Sequence, residues 1–352
     1  FPNPRDNYKK NFILRRRLIN RLLVERPYLS CWISEVELMK VGITGASGML
    51  GTALIDKLAG QHKVFSTARS QGIEEKHTQW KCFDLTDLQQ LDDWLTEMKP
   101  DVVVHCAAIV NVDKCEENKK SSIQLHVDAT EVIANYLDKN NGQLVYISTD
   151  SVFDGNNKEP YIEKDGVNPL NIYARSKLLG ERPVLTMKRG LVLRTNIIGW
   201  SRTNKISFAE WILKGLVEQK PITLFNDVLF SPLHVSDLSM IIIRAIEKKA
   251  YGLYHASSRD SLSKYDFGVM MADVFGFTTE NISAISVDDL KFKAKRPKNM
   301  ALSNEKITHF LQYDLPIARE AVELMKKQYD NGWLSRIKGR KVASNYEFWK
   351  VE

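Results

Sequence analysis

The segment that most constrains the fold of this chain is a glycine-rich turn between an apolar run and a helical run. Val41–Thr44 has the pattern of a short buried strand, and Gly45, Gly48 and Gly51 follow it with the spacing G-x-x-G-x-x-G. Glycines at such a turn let the backbone approach a pyrophosphate, which the free N–H groups at the start of the next helix attract. The segment therefore predicts a dinucleotide-binding loop whose contacts come from Gly45, Ser47, Gly48, Met49 and Leu50.

The same strand–helix unit recurs along the first half of the chain. Helical patterns near 49–60, 87–98, 121–139 and 171–188 separate apolar runs at 40–44, 63–68, 78–83, 101–107, 143–148 and 190–195. This alternation predicts an α/β fold, a Rossmann-type doubly wound parallel sheet with ligands at the carboxyl ends of its strands. We expect residues 39–195 to form this domain. Residues 196–352 mostly form a smaller α/β substrate-binding lobe, with a segment near 228–256 returning to the first domain.

Residues 1–38 do not follow this pattern. Residues 1–40 carry nine Lys/Arg and four Asp/Glu, which is +5 of the net charge of +7 for the whole chain. A nucleic-acid-binding domain would place such a charge on its folded face, so we expect no nucleic-acid partner. Leucines at 14, 18 and 22 have helical spacing, and we interpret 1–38 as a basic extension outside the core.

The apolar runs and the cysteines of the sequence indicate the compartment in which the protein functions. No run reaches the roughly 18 apolar residues that a membrane-spanning helix needs, so we expect no membrane insertion. The four cysteines have no C-x-x-C pairing and no metal-ligand spacing with the histidines. Such cysteine usage is typical of a reducing compartment, and we therefore expect a cytoplasmic protein without a metal.

The residues that directly follow the second, third and fourth strands are expected to contact the cofactor. Arg69, at the end of the second strand, matches a partner for the 2′-phosphate of NADP, whereas NAD is usually read there by a carboxylate. NADP(H) is therefore favoured, with NAD(H) as the alternative. After the third strand, Asp84 would accept a hydrogen bond from the adenine amino group beside Leu85, and Thr86 or Asp87 would cap the next helix. The small residues Cys106, Ala107 and Ala108, after the fourth strand, would pack against the cofactor.

A Y-x-x-x-K pair predicts the chemistry. Tyr173 and Lys177 share one face of a helix, and we expect the lysine charge to favour the phenolate of a tyrosine that exchanges a proton with a carbonyl oxygen. The same spacing recurs at Tyr346 and Lys350, where no cofactor context surrounds it. Thr149, at the end of the fifth strand, distinguishes the first pair because its hydroxyl can donate to the same carbonyl.

Six segments together resemble the dTDP-4-dehydrorhamnose reductase family of extended short-chain dehydrogenases/reductases. They are 41–51, 83–87, 100–108, 112–114, 148–155 and 168–181. The resemblance implies NAD(P)H-dependent reduction of a 4-keto group on a nucleotide-linked deoxysugar, as in the biosynthesis of dTDP-rhamnose and polysaccharides. It also implies the roles given above for Thr149, Tyr173 and Lys177, a substrate contact at Asp150, a diphosphate or sugar contact at Arg296, and a homodimer.

The chain departs from that family at two positions. Ala174 replaces the glycine that usually follows the tyrosine, and Ile197 replaces a tryptophan that helps bind the sugar, which leaves the sugar open. Two alternatives remain. One is a non-catalytic NADP-binding regulatory subunit resembling the β subunit of methionine adenosyltransferase. The other is an epimerase–reductase resembling GDP-fucose synthase, which needs a further acid/base group such as His105 or Cys106.

Overall fold

The computed structural model describes residues 38–70, 78–202 and 206–338. Two expectations from the sequence fall outside the described residues: the helix with Leu14, Leu18 and Leu22, and the second tyrosine–lysine pair at 346 and 350. Within the described residues, no helix is both long enough and apolar enough to cross a bilayer.

A seven-stranded parallel sheet forms the centre of the described chain, in the order β11-β6-β5-β4-β1-β2-β3. The strands are β1 (Lys40–Thr44), β2 (Lys63–Ala68), β3 (Thr78–Cys82), β4 (Val102–His105), β5 (Gln143–Thr149), β6 (Gly190–Thr195) and β11 (Gly252–Ala256). Six of these strands fall on the apolar runs of the sequence, which confirms the predicted Rossmann-type sheet.

Helices cover both faces of this sheet. In the first half of the chain they are α1 (Met49–Leu58), α2 (Leu88–Met98), α3 (Val112–Glu117), α4 (Lys119–Ile123), α5 (Ala129–Lys139) and α6 (Ile172–Leu185). A π-helical turn, Gln124–Asp128, separates α4 from α5, and a 3₁₀ turn, Asp150–Val152, follows β5. The helix expected near 121–139 is therefore present without a break, but it contains a π-helical turn.

The second half of the chain builds short strands and helices beside the carboxyl ends of β5 and β6. The strands are β7 (Ile197–Ile198), β8 (Ile222–Phe225), β9 (Leu229–Phe230), β10 (Leu233–His234), β12 (Leu262–Ser263), β13 (Ile282–Ile285) and β14 (Asn299–Met300). The helices are α7 (Phe208–Val217), α8 (Val235–Glu247), α9 (Lys264–Phe275), α10 (Glu305–Leu311), α11 (Ala318–Asp330) and α12 (Trp333–Lys338), with a 3₁₀ turn at Val287–Asp289.

The central strands are apolar throughout because both of their faces are buried. In β4, Val102 and Val104 pack into one core with α1 and α8, whereas Val103 packs into the opposite core with α2 and α5. A third core joins α7, α9 and α11. This layering fixes the carboxyl ends of β1, β2, β4 and β5 along one edge, where the predicted site residues lie.

Candidate functional site

The turn after β1 has the shape of an anion-binding loop. Gly45 has a φ of +62°, a left-handed conformation that glycine adopts without strain. A Cβ atom at Gly45 would lie 2.7 Å from the Ala107 backbone, so the loop after β4 packs directly against this turn. No acceptor among the described residues meets the backbone N–H groups of Ser47, Met49 and Leu50. These free donors at the start of α1 fit a pyrophosphate.

The residues expected to contact a nucleoside follow β2 and β3. Arg69 is exposed directly after β2, at the same sheet edge as the glycine turn. Asp84 accepts from the backbone N–H and the hydroxyl of Thr86 at 3.0 and 2.8 Å, so one of its oxygens already serves a local turn. Asp87, rather than Thr86, caps α2 by accepting from the Gln90 N–H at 3.1 Å. Leu85 beside them is buried.

The loop after β4 is tied to the glycine turn through buried hydroxyl contacts. The ring of His105 lies 2.6 Å from the Thr44 hydroxyl, and the Ala107 N–H donates to the same hydroxyl oxygen at 3.4 Å. Burial lowers the pKa of His105 to about 3 and raises the pKa of Cys106 to about 12. Neither side chain exchanges protons readily near neutral pH, which counts against their predicted role as epimerase acid/base groups.

The structure brings Thr149, Tyr173 and Lys177 together at the carboxyl end of β5. Thr149 is the last residue of this strand. Its hydroxyl donates to the Asp150 carboxylate at 3.0 Å, and it lies near enough to Tyr173 to lower the pKa of that phenol. Asn171 begins the helix of Tyr173 by accepting from the Ala174 N–H at 2.9 Å. One helical turn beyond the tyrosine, the Lys177 ammonium lies 4.0 Å from the centre of the Tyr146 ring.

The pKa of Tyr173 moves in the direction opposite to the expectation from the sequence. Burial is the largest influence, and together with the nearby Asp150 charge it raises the pKa of Tyr173 to about 12, although the nearby Thr149 hydroxyl acts against the rise. The phenolate is therefore not the favoured form in this structure, contrary to the expectation from the sequence, because desolvation dominates and Lys177 is not among the groups that shift this pKa. The phenol stays protonated at neutral pH, which suits a proton donor.

Lys177 is itself perturbed by its surroundings. Burial lowers its pKa to about 7, and the nearby Glu181 carboxylate opposes this shift. Arg194 binds that carboxylate with two hydrogen bonds, from Nε at 2.9 Å and from an Nη at 2.7 Å. The Ser148 hydroxyl adds a third at 2.5 Å. This buried network fixes the position of α6 against β5 and β6.

A buried histidine on the π turn connects the tyrosine helix to the loop after β4. His126 Nε2 accepts from the Ile109 N–H at 2.9 Å, so Nδ1 carries the proton and donates to the Ser176 hydroxyl at 2.8 Å. Ser176 in turn donates to the Tyr173 carbonyl oxygen at 2.9 Å. Burial lowers the pKa of His126 to about 2, so this connection keeps one protonation state.

Asp150 lies beside Thr149 in a cluster of polar side chains that the sequence only partly predicted. Its carboxylate accepts from the Asn196 amide at 2.6 Å and from the Thr149 and Ser151 hydroxyls at 3.0 and 3.2 Å. Burial raises its pKa, while the ammonium of Lys264 acts in the opposite direction. Sequence reasoning missed Asn196 and Lys264 because no motif connects these residues to position 150.

The two remaining predicted substrate residues occupy different environments. Ile197 lies in β7, half-buried against the core, and its strand pairs with β10. Arg296 forms an ion pair with Asp113 at 2.8 Å, and its second Nη is buried without a hydrogen-bond partner. Arg296 thus bridges the segment before β14 to α3, close to the helix that carries Tyr173.

Known proteins resemble this chain over most of its length. The sequence family described as the RmlD substrate binding domain matches residues 39–331. The dTDP-4-dehydrorhamnose reductase of Aggregatibacter actinomycetemcomitans is 29% identical over 279 residues, 75% of this chain and 90% of that protein. Methionine adenosyltransferase 2 subunit beta of Pongo abelii is 30% identical over 305 residues, 79% of this chain and 85% of that protein. The structure of dTDP-4-dehydrorhamnose reductase from Bacillus anthracis, a complex with NADP, has a TM-score of 0.71 at 25% identity and covers 83% of this chain and 99% of that one.

Proposed function

This chain belongs to the family of the RmlD substrate binding domain, and from that membership we propose that it is an NAD(P)H-dependent reductase of a nucleotide-linked 4-keto-deoxysugar. The observation that carries the proposal is the meeting of Thr149, Tyr173 and Lys177 at one sheet edge. That edge also carries the anion-binding turn after β1. The names of the relatives support a sugar nucleotide as the substrate.

Each residue of the site has a defined task in this proposal. A nicotinamide cofactor, once bound at this edge, would supply the hydride that the reduction requires. The Tyr173 hydroxyl, together with the Thr149 hydroxyl once it turns from Asp150 to the substrate, donates to the carbonyl oxygen, where negative charge develops in the transition state. Tyr173 then gives its proton to that oxygen, and the Lys177 ammonium stabilises the phenolate that remains. The amides of Ser47, Met49 and Leu50 would hold the cofactor pyrophosphate.

The main alternative is the non-catalytic regulatory subunit. The identity of 30% with a methionine adenosyltransferase subunit favours it, and it predicts cofactor binding without turnover. The enzyme is the better-supported reading because all three reactive groups are present and placed together. The epimerase–reductase has weaker support, since neither His105 nor Cys106 titrates near neutrality.

The test is to incubate the purified protein with NADPH or NADH and a panel of nucleotide-linked 4-keto-sugars and to follow cofactor oxidation by absorbance. We expect oxidation that depends on the sugar and yields the 4-hydroxy product. Tight cofactor binding without oxidation by any sugar would contradict the proposal and favour the regulatory subunit.

Arg69 gives a separate prediction for cofactor choice. Changing Arg69 to alanine is expected to raise the Kd for NADPH about 10- to 100-fold, because charge-assisted hydrogen bonds to the 2′-phosphate contribute about 1.5–3 kcal/mol. The Kd for NADH is expected to stay at the wild-type value, as measured by fluorescence titration. Arg189→Ala is the matched control, because Arg189 lies before β6 at the opposite sheet edge. Equal losses for both cofactors would show that Arg69 does not read the 2′-phosphate.

A further inference from the structure

Lys264, the first residue of α9, is half-buried and places its ammonium group toward the end of β5 from the smaller lobe. Its Nζ lies 3.2 Å from the centre of the Phe230 ring and 4.7 Å from that of Phe208. Ring faces attract a cation, yet they accept only part of what an ammonium with three N–H donors offers. Among the described residues, no oxygen accepts a hydrogen bond from this Nζ and no carboxylate forms a direct ion pair with it. Burial lowers its pKa to about 7.

Backbone pairing brings this ammonium close to Asp150. The strand before Lys264, β12, pairs with β9, which carries Phe230, and β9 also pairs with β14. Met300 of β14 contacts the Ser151 hydroxyl through its sulfur at 3.6 Å. The Leu233 N–H, three residues after Phe230, donates to the carbonyl oxygen of Asn196 at 2.9 Å. The small sheet therefore lies beside Asp150 and its polar neighbours, and the charges of Lys264 and Asp150 influence each other.

The carboxylate of Asp150 determines which kind of ligand group suits the ammonium of Lys264. An isolated buried cation would favour a phosphate, but here Asp150 supplies a compensating negative charge. A neutral group that both accepts and donates hydrogen bonds fits such a pair best, and a sugar hydroxyl has this property. Asp150 adjoins Thr149 in the chain, so the hydroxyl concerned lies next to the carbonyl that Thr149 and Tyr173 hold. In a 4-keto-6-deoxyhexose, the only neighbouring carbon with a hydroxyl is C3.

We propose that Lys264 and Asp150 together bind the C3 hydroxyl of the substrate. Lys264 donates a hydrogen bond to the hydroxyl oxygen, and Asp150 accepts a hydrogen bond from the hydroxyl group. The pair thus selects sugars that carry this hydroxyl. The inference rests on the proposed function, because it assumes a keto-sugar at this site.

The test compares two nucleotide-linked 4-keto-6-deoxyhexoses, one with the C3 hydroxyl and one 3-deoxy counterpart. Lys264→Met is expected to lower kcat/KM for the hydroxylated sugar about 10- to 100-fold, the size of a lost charge-assisted hydrogen bond. The value for the 3-deoxy sugar is expected to stay at the wild-type level. Methionine suits the site because its sulfur packs well against aromatic rings, and thermal unfolding checks that the variant folds. If it does not fold, Lys264→Gln is judged by the same comparison.

Lys306→Met is the matched control, because Lys306 also lies over an aromatic ring, 4.4 Å from the centre of Tyr254, but beside the edge strand β11. This control is expected to leave both kcat/KM values unchanged. An equal loss for both sugars in the Lys264 variant, or no loss for either, would overturn the inference.

A second measurement separates this inference from the proposed function. Calorimetric titration with the two corresponding 4-hydroxy nucleotide sugars measures binding without turnover. If the wild-type protein reduces neither keto-sugar, the proposed reductase activity fails. Preferential binding of the 3-hydroxy sugar, lost in Lys264→Met, would still support the hydroxyl contact. Equal binding by the wild type and the variant would overturn it.

Discussion

Replacing Tyr173 with phenylalanine is expected to lower kcat/KM for keto-sugar reduction about 10²- to 10⁴-fold, the usual contribution of a positioned proton donor. The burial that raises the pKa of Tyr173 to about 12 keeps its proton available at neutral pH. Phenylalanine keeps the ring that lies edge-on to His126, so the helix is expected to stay in place. The Kd for the cofactor is expected to change by no more than about fivefold, because one neutral hydrogen bond contributes about 1 kcal/mol.

Tyr254→Phe removes the same hydroxyl group from a buried tyrosine on the edge strand β11 and is the control. It is expected to leave turnover unchanged. Steady-state cofactor oxidation gives the rates, and thermal unfolding reports on the fold. Wild-type turnover in Tyr173→Phe would show that another group donates the proton. A joint loss of turnover, cofactor binding and thermal stability would instead assign Tyr173 a structural role.

Replacing Arg194 with methionine is expected to lower the free energy of unfolding by about 3–5 kcal/mol, because it leaves the Glu181 carboxylate buried without its cation. The two side chains are almost fully buried, with 4% and 2% of their surfaces exposed. Removing only one partner of a bidentate ion pair in such surroundings lowers stability strongly, because the other charge stays buried. Urea unfolding followed by circular dichroism measures the change.

Two further variants test that explanation. Arg194→Met combined with Glu181→Met removes both charges and is expected to recover most of the lost stability, because an apolar replacement of a buried pair is often neutral. Arg319→Met breaks the exposed pairs with Asp273 and Glu323 and is expected to cost less than about 1 kcal/mol. If the double variant is no more stable than Arg194→Met, the destabilisation does not come from an unpaired carboxylate.

The sheet was predictable from the sequence because its signals are local. Buried parallel strands require continuous apolar runs, and the turn at Gly45 requires a residue that tolerates positive φ. The π turn near residue 126 was not predictable. The His126 carbonyl oxygen accepts from the Thr130 hydroxyl at 2.8 Å and from the Tyr146 hydroxyl at 3.3 Å. The second partner, Tyr146, comes from β5, so the spacing of apolar residues along the helix does not indicate this contact.

The site, too, has features that the sequence predicts and features that it does not. Tyr173 and Lys177 share a helix face and Thr149 ends a strand, so the spacing of the pair together with its place in the strand–helix pattern predicts that the three residues meet. The direction of the Tyr173 pKa shift depends on burial, which spacing does not report. Lys264 lies more than 100 residues from Asp150 in the sequence, and its ring contacts arise only when β12 pairs with β9.

The return of the chain to the central sheet limits how this protein can acquire new specificities. After building β7–β10 beside the site, the chain comes back through α8 and β11 before it leaves again for α9. The smaller lobe is therefore not a contiguous cassette that recombination could exchange at a single junction. Cutting the chain after Thr195 would expose β6 as an unpaired edge and uncover the face of α1 that packs on α8. Changes of substrate are accordingly expected to accumulate as point substitutions around an unchanged chain path.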